Sequence, residues 1–427
     1  MIGTTLALLC VVLGLSIPVG IGLGLLGLAL SGIYSPLPLS VALGELTWST
    51  SNSFILVAVP LYIMLGEIVL RSGIAERVYN ALVQWVTWLP GGLMHSNIAG
   101  CATFAAISGS SVATAVTVGT VALGEVKKHH YDERLFLGII AAGGTLGILI
   151  PPSIVMIVYG VMTETSIPKL YLAGLVPGVV LAALFSLTVI AYCWWRPAYG
   201  GTPVKTSWAS RIRTLPDLLP PLVIFAIVIG SIYAGLATAT ESAALGVLAS
   251  LGLAAFHRTL TWTMLRQAFE GTVRLTAAVM LIIIGAYFLN LVIGIIGLTA
   301  AINSFVVSLD LSPTGLLVVV ILFYLLLGTF MEEMSMMVAT VPVIAPLMIG
   351  AGFDPVWFGI LIVLIIEAAL ISPPVGMNLF VVHSVRGRGQ MHDVMIGSMP
   401  FFFAMILMIV LISVFPQIVL WLPEMAR

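Results

Sequence analysis

Two short polar stretches lie inside long apolar runs and carry residue types that can bind ions: Ser108-Gly109-Ser110-Ser111, and Gly328-Thr329-Phe330-Met331-Glu332-Glu333-Met334-Ser335. Each is followed by an apolar segment broken at a proline pair. The first reads Gly143-Gly144-Thr145-Leu146-Gly147 before Pro151-Pro152-Ser153, the second Glu367 through Ser372 before Pro373-Pro374-Val375-Gly376. Proline has no N–H and clashes with the carbonyl one turn back, so a pair of them in mid-helix frees carbonyl oxygens. Freed carbonyls suit a hard cation such as sodium, and the restarted helix offers N–H groups and a positive dipole end to an anion. Small residues also simply let membrane helices approach closely, and proline can merely kink a helix. Four motifs forming two matching pairs point instead to a cradle for a cation and a small organic anion. The substrate cavity is expected among Gly109, Ser110 and Glu332 at the polar tips and Pro151, Pro152, Ser153, Pro373 and Pro374 at the breaks.

The elements that position these motifs must be membrane-spanning helices. Of 427 residues 60% are hydrophobic and 8% charged, with a mean hydropathy of +1.19, against roughly 25% charged in soluble domains. Runs of about 18 to 29 apolar residues fit helices across a hydrocarbon core of about 30 Å, and the short alternating segments of a membrane barrel are missing. Spans are predicted near 2–30, 53–70, 135–163, 170–195, 216–234, 241–256, 275–297, 355–383 and 394–422. The first reads as a retained span and not a signal peptide. With the stretch from Arg71 to Arg77 in the cytoplasm, every Lys and Arg except Lys169 and Arg427 falls on that side, a strong positive-inside bias. The amino terminus is then cytoplasmic and the carboxy terminus external.

Regions 92–125 and 314–350 do not read as simple spans. In the first, Ile98 to Ile107 and Val112 to Leu123 flank the polar tip, and an arm of about 15 residues reaches only about 22 Å. Each region is predicted to be a re-entrant hairpin, its tip tolerated at membrane depth where it lines a polar cavity.

The two halves match. A shift of 222 residues superimposes Asp132 on Asp354, Phe136 on Phe358 and Pro151-Pro152 on Pro373-Pro374; with one residue of drift, Gly174 and Pro177 fall on Gly397 and Pro400. Five crossings separate equivalent spans, so the second copy is inverted. Inverted repeats characterise secondary transporters, and they bring the two tips together near the midplane. The fold class is therefore an all-α integral membrane protein, an inverted-repeat transporter with two hairpins and two interrupted helices.

Other charges read differently. Glu241 suits a helix start. Glu332 and Glu333 either attract a cation or cap the following helix, Glu367 lies close to a break, and Glu45 and Glu67 read as interfacial. Ile74 to Trp88 and Thr259 to Glu270 read as helices lying in the membrane interface. Cys10, Cys101 and Cys193 show neither a disulfide frame nor a transition-metal spacing. The six histidines fall at span ends or in loops, with no nucleophile and base pairing, so no enzyme is indicated. Without a Gly-x-x-x-x-Gly-Lys-Ser/Thr loop the energy must come from a gradient.

Ser72-Gly73-Ile74-Ala75-Glu76-Arg77, Leu89-Pro90-Gly91-Gly92, Ile107-Ser108-Gly109-Ser110-Ser111, Gly147-Ile148-Leu149-Ile150-Pro151-Pro152-Ser153 and Ser372-Pro373-Pro374 resemble the large membrane subunit of the tripartite ATP-independent periplasmic (TRAP) transporters. The resemblance covers essentially the whole chain. It implies an elevator-type, sodium-coupled carrier of the inner membrane of a bacterium or archaeon. Its implied partners are a small four-helix membrane subunit, a periplasmic substrate-binding protein, a carboxylate such as a sialic acid or C4-dicarboxylate, and membrane lipids. No cofactor is expected beyond the coupling sodium ions, and no nucleic acid. The likeness carries sodium ligation, mainly through backbone oxygens, onto Ser108, Ser111, Gly144 and Thr145 in the first half and Gly328, Thr329, Met331 and Ser372 in the second. The implied division is 1–70 scaffold helices, 71–91 interfacial arm, 92–168 first transport half, 169–297 scaffold and cytoplasmic linker, 298–390 second transport half and 391–427 terminal scaffold helix. A stand-alone ion-coupled anion carrier of similar architecture is the alternative, and an anion channel a more distant one.

Overall fold

The computed structural model describes every residue except Ser16, Pro203, Lys205, Ala426 and Arg427. The external position expected for Arg427 thus lies outside the described residues, which are helical with no strand. The first half runs through α1 (Ile2–Gly14), α2 (Val19–Tyr34), α3 (Ala42–Ser51), α4 (Ala58–Arg71), α5 (Ile74–Val86), α6 (Leu93–Ser108), α7 (Ser111–Lys128), α8 (Glu133–Leu149), α9 (Ile154–Thr163) and α10 (Ile167–Trp195). After a linker carrying α11 (Trp208–Thr214) the second half repeats the series. It comprises α12 (Leu219–Tyr233), α13 (Ala239–Phe256), α14 (Trp262–Ile295), α15 (Leu298–Ser308), α16 (Pro313–Leu327), α17 (Glu333–Gly350), α18 (Pro355–Leu370), α19 (Met377–Arg386), α20 (Met391–Val414) and a terminal α21 (Gln417–Met425).

Local chemistry explains the boundaries. Asp132 and Asp354, equivalent in the repeat, cap α8 and α18: Asp132 accepts from Leu135 N, and Asp354 from Val356 N and Trp357 N. Glu241 accepts from Thr238 N while Thr238 Oγ1 accepts from Glu241 N, a reciprocal cap that starts α13. Gly73 (φ 72°) and Gly297 (φ 73°) take the left-handed conformation after α4 and after α14, which glycine adopts without a Cβ penalty. At Gly73 the chain turns by 68° into α5, the amphipathic helix expected there.

Several boundaries differ from expectation. Region 2–30 is not one span: it divides into α1 and α2, with Pro18 at the start of the second, because proline both removes an N–H and drives its predecessor out of helical geometry. The stretch from Thr259 to Glu270 is not a separate interfacial helix. Its residues from Trp262 form the opening turns of α14, a single helix of 34 residues. The counterpart of α5 is instead α15. Region 394–422 is interrupted at Phe415-Pro416, which ends α20 and begins α21. The second arms α7 and α17, at 18 residues each, reach about 27 Å, longer than expected.

Packing sorts the helices into two layers related by the repeat. In one, α2 lies along α14 and α13 along α4, the same pair in each half; in the other, α7 packs on α19 and α17 on α9, again equivalent. Helix α10 joins this second layer through α6, α8, α18 and α20, and α20 lies along α8. There Gly138 and the Gly397 carbonyl approach with no room for a Cβ on either glycine. The grouping departs from the chain-order division above, in which 169–297 and 391–427 count as scaffold. Small residues at a helix crossing, not chain position, decide which helices pack.

Candidate functional site

Both polar tips form as the sequence indicates. Helix α6 stops at Gly109 in left-handed geometry (φ 60°), and the Ser110 hydroxyl accepts from Ala113 N to start α7. In the second half Leu327 closes α16, Gly328 to Met331 turn the chain, and the Glu332 carboxylate accepts from Met334 N and Ser335 N to start α17. Ser110 and Glu332 are equivalent positions with the same capping role, which favours the capping reading of Glu332. The two breaks form as well, α8 and α9 meeting at 42°, and both Pro-Pro bonds are cis.

The tips meet. Ser111 Oγ donates to Glu333 Oε2 at 2.5 Å, with both side chains buried. Between them lies a cavity of about 250 Å³, bounded by Ser108, Gly109 and Ser110 of the first tip, Glu332 and Glu333 of the second, and the first turns of α9 and α19 at Ile154 and Met377. Its far wall belongs to the other layer: Gly66 and Glu67 of α4, Leu275 and Val279 of α14. The cavity therefore sits between the layers as well as between the repeats.

The expected substrate residues divide. Gly109, Ser110 and Glu332 line the cavity; Pro151, Pro152, Ser153, Pro373 and Pro374 do not. The prolines set the wall from behind. A Cβ on Gly109 would stand 2.7 Å from the Pro152 carbonyl, so tip and break touch at backbone distance. Ser153 caps α9 through Met156 N, while Ser398 of α20 donates to Ile371 O, a carbonyl beside the second break.

The residues that resemblance assigns to sodium form two groups. In the first half, a Cβ on Gly144 would lie 3.2 Å from the Ser111 carbonyl. Ser108 Oγ pairs with Thr114 Oγ1 at 2.9 Å, and Thr145 Oγ1 donates to Ala142 O. Ser108 lines the cavity; Ser111, Gly144 and Thr145 lie behind it. In the second half Gly328 packs against Ala369, Thr329 Oγ1 donates to Leu326 O, Met331 is buried, and Ser372 Oγ donates to Ala369 O. The hydroxyls of Ser111, Thr145, Thr329 and Ser372 donate their protons inside the protein, and their oxygens keep lone pairs.

Sequence reasoning placed Glu67 at the interface, yet it walls the cavity and pairs with Arg71 at 2.8 Å. A Cβ on the neighbouring Gly66 would stand 3.3 Å from Ser108 Cα, so tip and scaffold approach closely there. Glu367 is fully buried, does not line the cavity and has no hydrogen-bond partner among the described residues.

A family model described as "Tripartite ATP-independent periplasmic transporter, DctM component" matches residues 6–418. The chain is similar to the C4-dicarboxylate TRAP transporter large permease protein DctM of Vibrio cholerae serotype O1, 31% identical over 96% of this chain and 94% of that protein. It is similar to the sialic acid TRAP transporter large permease protein SiaM of the same organism, also 31% identical, over 96% and 95%. Its fold is similar to the crystal structure of the Alcanivorax borkumensis YdaH transporter, described as having an unusual topology, with a TM-score of 0.63 at 15% identity over 92% and 98% of the two chains.

Proposed function

Because the chain belongs to the DctM family, the large permease component of the tripartite ATP-independent periplasmic transporters, and so is a multi-pass inner-membrane transporter and not an enzyme, we propose that it imports a small organic carboxylate by sodium-coupled elevator movement. The observation that carries the reading is the cavity closed by both tips on one side and by α4 and α14 on the other. A site at such a boundary changes its exposure when one layer slides past the other, the alternation a secondary carrier needs. In this reading α6 to α10 and α16 to α21 move together, and α5 and α15 are their arms, hinged at Gly73 and Gly297.

Sodium would be held mainly by backbone oxygens at Ser108, Ser111, Gly144 and Thr145, and at Gly328, Thr329, Met331 and Ser372. The names of the relatives support a carboxylate such as a C4-dicarboxylate or a sialic acid. The family name supports a periplasmic binding protein that delivers it, beside a small membrane subunit.

The test is reconstitution into proteoliposomes with the cognate small subunit and binding protein. Uptake should require all three components and an inward sodium gradient. Uptake by this chain alone would overturn the tripartite reading, and uptake indifferent to sodium would overturn the coupling.

A further inference from the structure

Helix starts face the cavity from both halves, at Ile154 of α9 and Met377 of α19, but carboxylates line it only at the second tip and on α4. The lining residues of the first tip and of α9 contribute no charge. The Ser110 and Ser153 hydroxyls cap Ala113 N and Met156 N, so the remaining first-turn N–H groups of α7 and α9 have no partner within their helices. Amide donors at two helix starts favour an anionic group.

At the second-half end the equivalents of Ser110 and Ser111 are Glu332 and Glu333. The charged side chains lining the cavity are Glu67, Glu332 and Glu333, with no Lys, Arg or His among the lining residues. Arg71 neutralises Glu67. The oxygens of Glu332 are occupied by Met334 N, Ser335 N and Ser335 Oγ. Glu333 gives one oxygen to Ser111, and its other oxygen accepts no hydrogen bond among the described residues. The acids do not converge as metal ligands: the described residues contain no cluster of His, Cys, Asp and Glu able to hold a metal ion.

We infer that the cargo of this site is a small zwitterion whose anionic group faces the helix starts of the first half and whose protonated nitrogen faces Glu333. The inference rests on reading this cavity as the substrate site. A symmetric dianion suits symmetric halves, and here it meets one receptive end and one repelling end. A protonated nitrogen can donate to the Glu333 oxygen that Ser111 leaves free, and a second carboxylate cannot. A volume near 250 Å³ leaves room for a compact molecule.

The test uses the full-length permease in lipid nanodiscs with Cys10, the exposed cysteine, replaced by serine and Ala113→Cys placed on the cavity wall. Cationic and anionic methanethiosulfonates of equal size report the local potential. The cationic reagent should react at least tenfold faster, after correction for a free thiol, and Glu333→Gln should bring the ratio towards one. A second arm measures uptake of ectoine, a compact zwitterionic probe, and of succinate by the three-component system. Ectoine should accumulate and succinate should not, and Glu333→Gln should lower ectoine uptake at least tenfold. Equal or faster reaction of the anionic reagent, or transport of succinate without ectoine, overturns the inference. A cationic preference together with no sodium-driven uptake of any carboxylate overturns the transport reading while leaving the charge assignment standing.

Discussion

Ser111 and Glu333 are the same position of the two repeats, 222 residues apart, and they share a hydrogen bond of 2.5 Å. Equivalent residues touch only where the pseudo-two-fold axis passes between them, so this contact marks the axis within the protein. It also shows where the halves have diverged: a hydroxyl on one side faces a carboxylate on the other.

Removing the donor should be felt at once. Ser111→Ala leaves the buried Glu333 oxygen without its partner, at a cost of about 1–3 kcal/mol, while Glu333→Gln keeps an acceptor and costs less. Thermal unfolding of the single and double variants in nanodiscs gives the coupling. The double variant should be less destabilised than the sum of the two, and simple additivity would show that the contact contributes nothing.

At the first tip, Gly109→Ala should abolish transport. An L-residue at φ 60° pays about 1–2 kcal/mol, and its Cβ also meets the Pro152 carbonyl at 2.7 Å. The expected result is loss of uptake with a protein that still reaches the membrane and elutes as a single species. Gly144→Leu, which drives a side chain towards Ala115 and the Ser111 carbonyl, should do the same. Gly252→Ala, with open space around its Cβ position, is the matched control. Uptake at the control level by Gly109→Ala would mean that the tip does not bound the site.

The tips and breaks were legible because a polar Ser-Gly-Ser-Ser or a Pro-Pro pair inside an apolar run admits few physical solutions. Hairpins, interrupted helices and the axis between them follow from residue type and the 222-residue shift. The wall supplied by Gly66 and Glu67 was not legible, because it depends on which helices from distant parts of the chain lie across the tips. The same holds for the assignment of α10 and α20 to the hairpin layer. In sequence Gly397 marks only the repeat and Gly138 nothing, and only their meeting shows that α8 and α20 share one crossing. The span near 2–30 was misread for the opposite reason: hydropathy outweighed Pro18, a local signal that was present.

That crossing yields a second stability prediction. Gly397→Ala places a methyl group against the Arg134 carbonyl, and backbone there cannot rotate away as a side chain would. Overpacking typically costs about 1–3 kcal/mol, and more at a backbone contact. The variant should unfold at a clearly lower temperature than Gly252→Ala. An unchanged midpoint would show that α8 and α20 can separate freely.

Where α8, α19 and α20 come together, Arg386 donates to Glu133 Oε1 and to Asp393 Oδ2, and Asp393 Oδ1 accepts from Arg134. The Arg386 side chain is 7% exposed and Arg134 54%, so the two arginines should behave differently. Arg386→Ala removes the buried partner of both carboxylates, although Asp393 keeps Arg134 and Glu133 keeps Arg388, and should cost more than Arg134→Ala, which should cost less than about 1 kcal/mol. Raising salt should narrow the difference between wild type and Arg134→Ala more than that for Arg386→Ala. Equal losses in the two variants would show that burial does not govern this network.

Arm and hairpin are joined by a buried side-chain hydrogen bond. Tyr79 of α5 donates to Asn97 Oδ1 of α6 at 2.6 Å with both residues buried, and Asn97 Nδ2 has no partner among the described residues. Tyr79→Phe therefore leaves the whole Asn97 amide unpaired, at about 1–3 kcal/mol. Replacing both partners by apolar groups, Tyr79→Phe with Asn97→Leu, removes that penalty and should recover most of the thermal stability. If the hydrogen bond only holds the fold together, uptake should recover with it. If it transmits movement of α5 to the first hairpin, uptake should stay low in the restored double variant, because the directional link between arm and hairpin is still missing. We expect the second outcome, since α5 meets α6 and α7 on one side and the linker on the other, where Arg211 Nε donates to Gln84 O at 3.0 Å. Pinned at both faces, α5 can pass a displacement to the hairpin only through contacts that resist shear, and Tyr79–Asn97 is the buried polar one among them.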